Sequence, residues 1–110
     1  VILGTDYVDG LQDAKSSPKL HEFGLALAEE NRVAILELIH KRGEITIKEL
    51  EQTLDMAGTN AYYHLSLMIR SGLLKTRNKG RTVLYSLDHN YFETISKVIK
   101  SYSEEKDETL

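Results

Sequence analysis

The stretch MAGTNAYYHLSLMIRSGLLKTRNKGRTVLYSL, Met56 to Leu87, contains no acidic side chain and five basic ones, Arg70, Lys75, Arg77, Lys79 and Arg81. Residues 1–55 carry six basic against eleven acidic groups and residues 88–110 three against six, so a chain of formal net charge -3 has segregated its charges. Within this window the hydrophobic period also changes. Over Thr59–Ser71, Ala61, Leu65, Met68 and Ile69 share one face at 100° per residue, while Thr59, Tyr63, Ser66 and Arg70 share the opposite one. That pattern predicts a helix that packs with one side and presents the other. From Gly72 onward Val83, Tyr85 and Leu87 alternate with Leu84 and Ser86, and Asn78-Lys79-Gly80 is a tight-turn sequence between two strand-like runs. A small hairpin with a basic tip follows.

Upstream, Ser17 before Pro18 is a helix entry, a hydroxyl cap followed by a residue whose missing N–H costs nothing in a first turn. Leu20, Phe23 and Leu27 extend it at helical spacing, predicting a helix over about Pro18–Glu29. In NRVAILELIHKRG the apolar Val33, Ile35, Leu36, Leu38 and Ile39 surround most of the circumference, as in a central helix buried from several sides and ended by Gly43. Thr46 and Glu49 have capping-box spacing, and Ile47, Leu50 and Leu54 form one stripe of a short third helix. Downstream, Phe92, Ile95, Ile99 and Tyr102 alternate spacings of three and four, the pattern of a narrow helix–helix seam. The chain then divides into an arm or linker over 1–17, one domain over 18–103 and an acidic tail over 104–110.

Bulk properties narrow the function. A length of 110 residues fits one domain, large enough to bury a core of its own. The absence of cysteine excludes disulfides, thiolate zinc sites and thiol redox chemistry, and suits a reducing cytosol. No apolar run is long enough to span a bilayer. The start at Val1, without Met and without the basic flank of a signal peptide, reads as a fragment or processed chain. With no glycine-rich phosphate loop and no Ser, His and Asp that the elements would bring together, no enzymatic activity and no cofactor are expected. His89 and Glu93, at i and i+4, could join Asp88 and His21 on a metal ion, yet one such pair arises easily by chance and the expectation is no metal site. His64, next to Leu65 at the edge of the apolar face, is expected to be a hydrogen-bonded core histidine.

Three helices, a fourth with a bare polar face, a basic hairpin and a last helix make the layout of a winged helix-turn-helix, mainly α with a small β-hairpin. Leu25–Leu87 resembles the DNA-binding core of the ArsR-type bacterial and archaeal repressors. The likeness is carried by RVAILELI, by YYHL in the fourth helix, by SGLL leading into the wing and by KGRTVLYSL leaving it. The cysteine pair of metal-sensing members is missing from the corresponding EITIKEL. The resemblance implies a recognition helix over Thr59–Arg70 and a wing over Lys75–Leu87. Thr59, Asn60, Tyr62, Tyr63 and Ser66 would then meet bases or backbone, and Arg70, Lys75, Arg77, Lys79 and Arg81 would hold phosphates. It also implies a homodimer through the terminal helices, at Leu20, Phe23, Leu27, Phe92, Ile95, Ile99 and Tyr102. The expected function is a cytoplasmic, dimeric repressor of double-stranded DNA with no membrane contact, and no residue pattern marks an effector. Two alternatives stay open, a winged-helix protein-interaction module and the DNA-binding part of a longer ligand-responsive regulator.

Overall fold

The computed structural model describes residues 20–105. The predicted entry at Ser17 and Pro18, the arm 1–17 and residues 106–110 of the tail lie outside them. Helix α1, Leu20–Ala26 among the described residues, ends before the predicted Glu29. The start of the second helix sets its end. Glu29 leaves helical geometry (φ −135°, ψ 130°) and turns its carboxylate onto the Asn31 amide at 2.9 Å, capping α2, Glu30–Arg42. A residue committed to starting one helix cannot continue another. In α2, Ile35 and Ile39 are wholly buried and Val33, Leu36 and Leu38 half-buried, as a central helix requires. His40, Lys41 and Arg42 fill its last turn, where positive charge suits the carbonyl end of the dipole. The Gly43 amide closes it on the Ile39 carbonyl at 2.7 Å.

Glu44–Ile45 then forms β1, a two-residue strand that local pattern did not announce. Helix α3, Ile47–Leu54, opens with a complete capping box: the Glu49 amide donates to Thr46 Oγ1 at 3.1 Å and the Thr46 amide donates to Glu49 Oε1 at 2.8 Å. It stops at Asp55 in the left-handed region (φ 52°), a conformation aspartate tolerates better than most residues. Met56 and Ala57 complete the turn into α4, Gly58–Arg70. The SGLL stretch ends α4 with paired reverse bonds, the Leu73 amide to the Met68 carbonyl and the Gly72 amide to the Ile69 carbonyl, each at 3.0 Å. This stop needs a left-handed residue, supplied by Gly72 at φ 98°, and a Cβ there would lie 2.8 Å from the Tyr91 ring.

The hairpin comprises β2, Leu74–Lys79, and β3, Thr82–Leu87. Lys79 pairs with Thr82, so the connection is the two residues Gly80 and Arg81, one step later than a turn over Asn78–Gly80. Gly80 (φ 62°) occupies the first central position, which in a tight hairpin demands glycine-like freedom. Glu44 opposite Ser86 and Ile45 opposite Tyr85 add β1 to the other side of β3, giving a three-stranded antiparallel sheet of order β1-β3-β2. Asp88 starts α5, His89–Ser101, by accepting the Tyr91 amide on Oδ1 at 3.1 Å. The fold is therefore the expected winged helix-turn-helix with a third strand.

Helices α1 and α5 meet through aromatic rings, Phe23 against Phe92 at 6.2 Å edge-on and against Tyr91 at 6.3 Å. The main core joins α2, α3, α4 and the sheet: Ile35, Ile39, Ile45, Leu50, Ala61, Leu65, Met68 and Leu73 have no exposed surface. Full burial of each large aliphatic side chain contributes roughly 1.5–3 kcal/mol. The effect is to hold α4 rigidly by one face.

Candidate nucleic-acid interface

The face of α4 opposite the core is open, as its sequence phase predicted. Thr59, Asn60 and Arg70 are exposed, Ser66 is half-buried, and Tyr62 and Tyr63 are 61% and 57% exposed. The two tyrosines point to different neighbours. Tyr62 lines a groove of about 350 Å³ with Thr46, Ile47 and Lys48 from the start of α3 and Arg81, Thr82, Val83 and Tyr85 from the wing. Tyr63 packs edge-on against the His64 ring at 5.4 Å, on the side of α2. The first turn of α4 has no acidic residue of its own and Ala57 before it supplies no side-chain cap, but the Glu51 carboxylate of α3 lies against Gly58 at its start.

His64 is a hydrogen-bonded core histidine, as expected, and its partner is the buried Arg32 of α2. The Arg32 Nη1 and His64 Nδ1 are 3.1 Å apart. A guanidinium only donates, so Nδ1 accepts and the ring proton resides on Nε2, which lies 3.9 Å from Glu29 Oε1. Arg32 also donates from Nε to the Ala26 carbonyl at 2.7 Å and from Nη2 to the Leu25 carbonyl at 3.3 Å. One side chain thereby satisfies the carbonyl end of α1 and fixes α4 behind Tyr63.

The five basic residues of the acid-free stretch do not form one surface. Residues directly opposite in an antiparallel ladder share a face. Leu74, Tyr85 and Leu87, all buried, define the inward face. Lys75, Arg77 and Lys79 stand on the outward face with Ser86 and Leu84, while Arg81 occupies the tip and borders the groove with Tyr62. The outward face also holds an acid that reaches the wing: Arg77 donates from Nε to Glu44 Oε2 at 2.6 Å and from Nη2 to Oε1 at 2.8 Å. This pairing holds the Glu44 carboxyl below its usual range and pushes the Arg77 guanidinium further up. Lys48 was not singled out in the sequence, because an isolated lysine on a helix otherwise rich in acids carries no signal. Only the groove brings it together with Arg81.

The seven apolar residues expected at a dimer interface divide as well. Ile95 is 2% exposed inside its own chain, which corrects its assignment to an interface. Phe23, Leu27 and Phe92 are half-buried against the core, whereas Leu20, Ile99 and Tyr102 remain exposed, joined by Leu25, which the helical spacing missed. The weak metal candidates do not assemble. Asp88 has Oδ1 engaged in capping α5, and among the described residues no three His, Cys, Asp or Glu side chains form a group that could hold a metal ion. Among the same residues no helix is long and apolar enough to cross a membrane.

Comparison with known proteins agrees with this geometry. A family model described as a helix-turn-helix domain matches residues 27–77. An HTH-type transcriptional regulator of Bacillus subtilis is 33% identical over 70 residues, which cover 63% of this chain and 70% of the relative. The arsenical resistance operon repressor of Escherichia coli is 34% identical over 73 residues, 66% of this chain. The chain spans 62% of that repressor's length and 58% of the length of a cadmium resistance regulatory protein homologue from Staphylococcus aureus. Among solved structures, a homodimeric winged helix-turn-helix DNA-binding domain from Mycobacterium bovis is 22% identical and superposes with a TM-score of 0.66, covering 97% of this chain and 94% of that one.

Proposed function

This chain belongs to the ArsR-type winged helix-turn-helix regulators, and from that membership we propose that it binds duplex DNA as a homodimer and represses transcription. The observation that carries the reading is the open face of α4, polar and aromatic and with no acid of its own, set beside a groove lined by both Lys48 and Arg81. In this reading α4 enters the major groove. Asn60 reads an adenine edge through its paired donor and acceptor, the Thr59 methyl meets a thymine methyl, and Tyr62, Tyr63 and Ser66 reach bases or backbone through their hydroxyls. Arg70, Arg81 and Lys48 neutralise phosphates, which fixes register without reading sequence.

The dimer would form through the ends of α1 and α5, where Leu20, Leu25, Ile99 and Tyr102 are exposed. Supporting this is the homodimeric state of the Mycobacterium bovis domain. Two α4 helices about one turn of DNA apart, ~34–36 Å, read a two-fold-related operator. Selection of bound sequences from a random duplex pool tests the whole proposal, and a consensus with two-fold symmetry is the expected result. With Lys48, Arg70 and Arg81 on phosphates in each subunit, the slope of log affinity against log salt is about −5 per dimer. Binding that is flat between about 50 and 200 mM salt, or no enrichment in the pool, would overturn it.

A further inference from the structure

Among the described residues Arg77 is the wing cation engaged by a carboxylate, through Nε and Nη2, and the occupant comes from outside the wing. Glu44 belongs to β1, between the end of α2 and the Thr46 cap of α3, and is 33 residues away in sequence. In the sheet order β1-β3-β2, the pair reaches across the whole of β3, from Glu44 beside Ser86 to Arg77 beside Leu84. It therefore joins one edge strand, continuous with the helical body, to the other edge strand, which is half of the wing. Two parallel N–H to oxygen bonds constrain direction as well as distance. A twisted hairpin attached at its base alone would be free to lean; this one is tied at a second point on its outward face.

We propose that Arg77 is a positioning residue, held by Glu44, which sets the angle of the wing against α4, and that it does not contact a phosphate. The proposal rests on the DNA-binding reading of α4. Its grounds are that Arg77 stands on the face of the hairpin opposite the groove of Tyr62, Tyr85 and Lys48, and that its Nε–Nη2 edge is already seated on a carboxylate of β1, which holds the side chain across the sheet and leaves only the Nη1 side open. Arg81, at the tip, makes the phosphate contact from the wing, lining the same groove as Lys48.

The test uses the full chain and a fluorescent duplex recovered from the random-pool selection, titrated at several salt concentrations. Arg77→Gln and Glu44→Gln are each expected to weaken binding roughly threefold to tenfold, the scale of two exposed ion pairs per dimer, with an unchanged salt slope. The double variant is expected to bind no worse than either single one, and the reversed pair, Glu44→Arg with Arg77→Glu, to recover the loss. Arg81→Gln and Lys48→Gln should each flatten the slope by about 0.9 per subunit. Unchanged thermal melting of the variants separates a displaced wing from a damaged fold, and Arg77→Lys, which keeps the charge but not the fork, should behave as Arg77→Gln.

A flattened slope in Arg77→Gln would make it a phosphate contact and overturn the proposal. Tighter binding by Glu44→Gln would overturn it too, since Glu44 would then merely mask Arg77, and equal binding by all variants would show the pair to be idle. If the wild-type chain binds no duplex, the DNA-binding reading itself fails, which is a different result from any of these.

Discussion

Arg32 and Arg77 are both arginines tied to groups far away in sequence, yet they do opposite work. Arg32 is 9% exposed and spends its donors on two carbonyls and a histidine ring, so its environment exists only if it is there. Arg77 has a side chain 57% exposed and a carboxylate partner that water could replace. Low dielectric makes the first contact expensive to lose, and solvent makes the second cheap. Stability and placement are thus assigned to different arginines, one behind α4 and one outside the wing.

The largest effect is expected at the buried end of this contrast. Arg32→Met leaves the Ala26 carbonyl and His64 Nδ1 without a donor, while the Leu25 carbonyl keeps the Ala28 amide, and should lower unfolding free energy by about 3 kcal/mol in urea denaturation. A loss no greater than that of an exposed substitution would break the comparison. His64→Ala removes one partner from Arg32 and part of the support under Tyr63. It should cost about 1–2 kcal/mol and weaken duplex binding with no change in salt slope.

A smaller effect is expected at Tyr91. Its hydroxyl is buried and finds no hydrogen-bond partner among the described residues. Tyr91→Phe removes that orphan while keeping the ring against Gly72, and should raise stability by about 0.5–1 kcal/mol.

The two buried tyrosines also sharpen the contrast through pH. Burial pushes the Tyr85 hydroxyl up, with Tyr62 nearby adding to it, and burial followed by the charge of Glu22 does the same for Tyr91. A pKa raised in the fold means that the folded chain holds the proton more tightly. The associated stability is present below the ordinary value of 10.0 and is lost as pH rises through the raised values. Absorbance at the tyrosinate band should therefore show two groups ionising late, together with unfolding.

At the exposed end, Glu44→Gln should lower the urea midpoint at neutral pH only slightly, by far less than Arg32→Met. Because the Glu44 carboxyl is held low in the fold, its contribution is present above the ordinary carboxylate value and fades as pH falls through the depressed one. Duplex binding by the wild type should approach that of Glu44→Gln in the same acid range.

Features determined by neighbours in sequence were readable in advance. The Thr46–Glu49 capping box, the stop at Gly43 and the open face of α4 follow from spacing alone, and all are found as expected. Features created by distant partners were not. Glu44–Ile45 is a strand only because Ser86 and Tyr85 arrive beside it, and two residues carry no period. The acid-free window concealed Glu44 because charge segregation along the chain says nothing about segregation in space. Helix α1 ended early because Glu29 could serve either as its last turn or as the cap of α2, and the second use prevailed. The α5 seam read as one stripe, but its first half closes on α1 and the core while Ile99 and Tyr102 stay outside.

Where the wing leaves the body, the Asp88 amide donates to the Leu73 carbonyl at 2.9 Å, closing the chain on itself at the neck. Everything from Leu74 to Leu87 hangs from that closure, so the hairpin can be lengthened at Gly80 and Arg81 without rebuilding its root. Side chains alternate faces, so only additions of two residues per strand keep the inward row inward. Each such addition extends the reach by about 7 Å, close to two base-pair steps of ~3.4 Å. The wing is in this sense a ruler with a fixed handle and a coarse scale, whose length can change in steps of two residues per strand while its tip keeps the same facing.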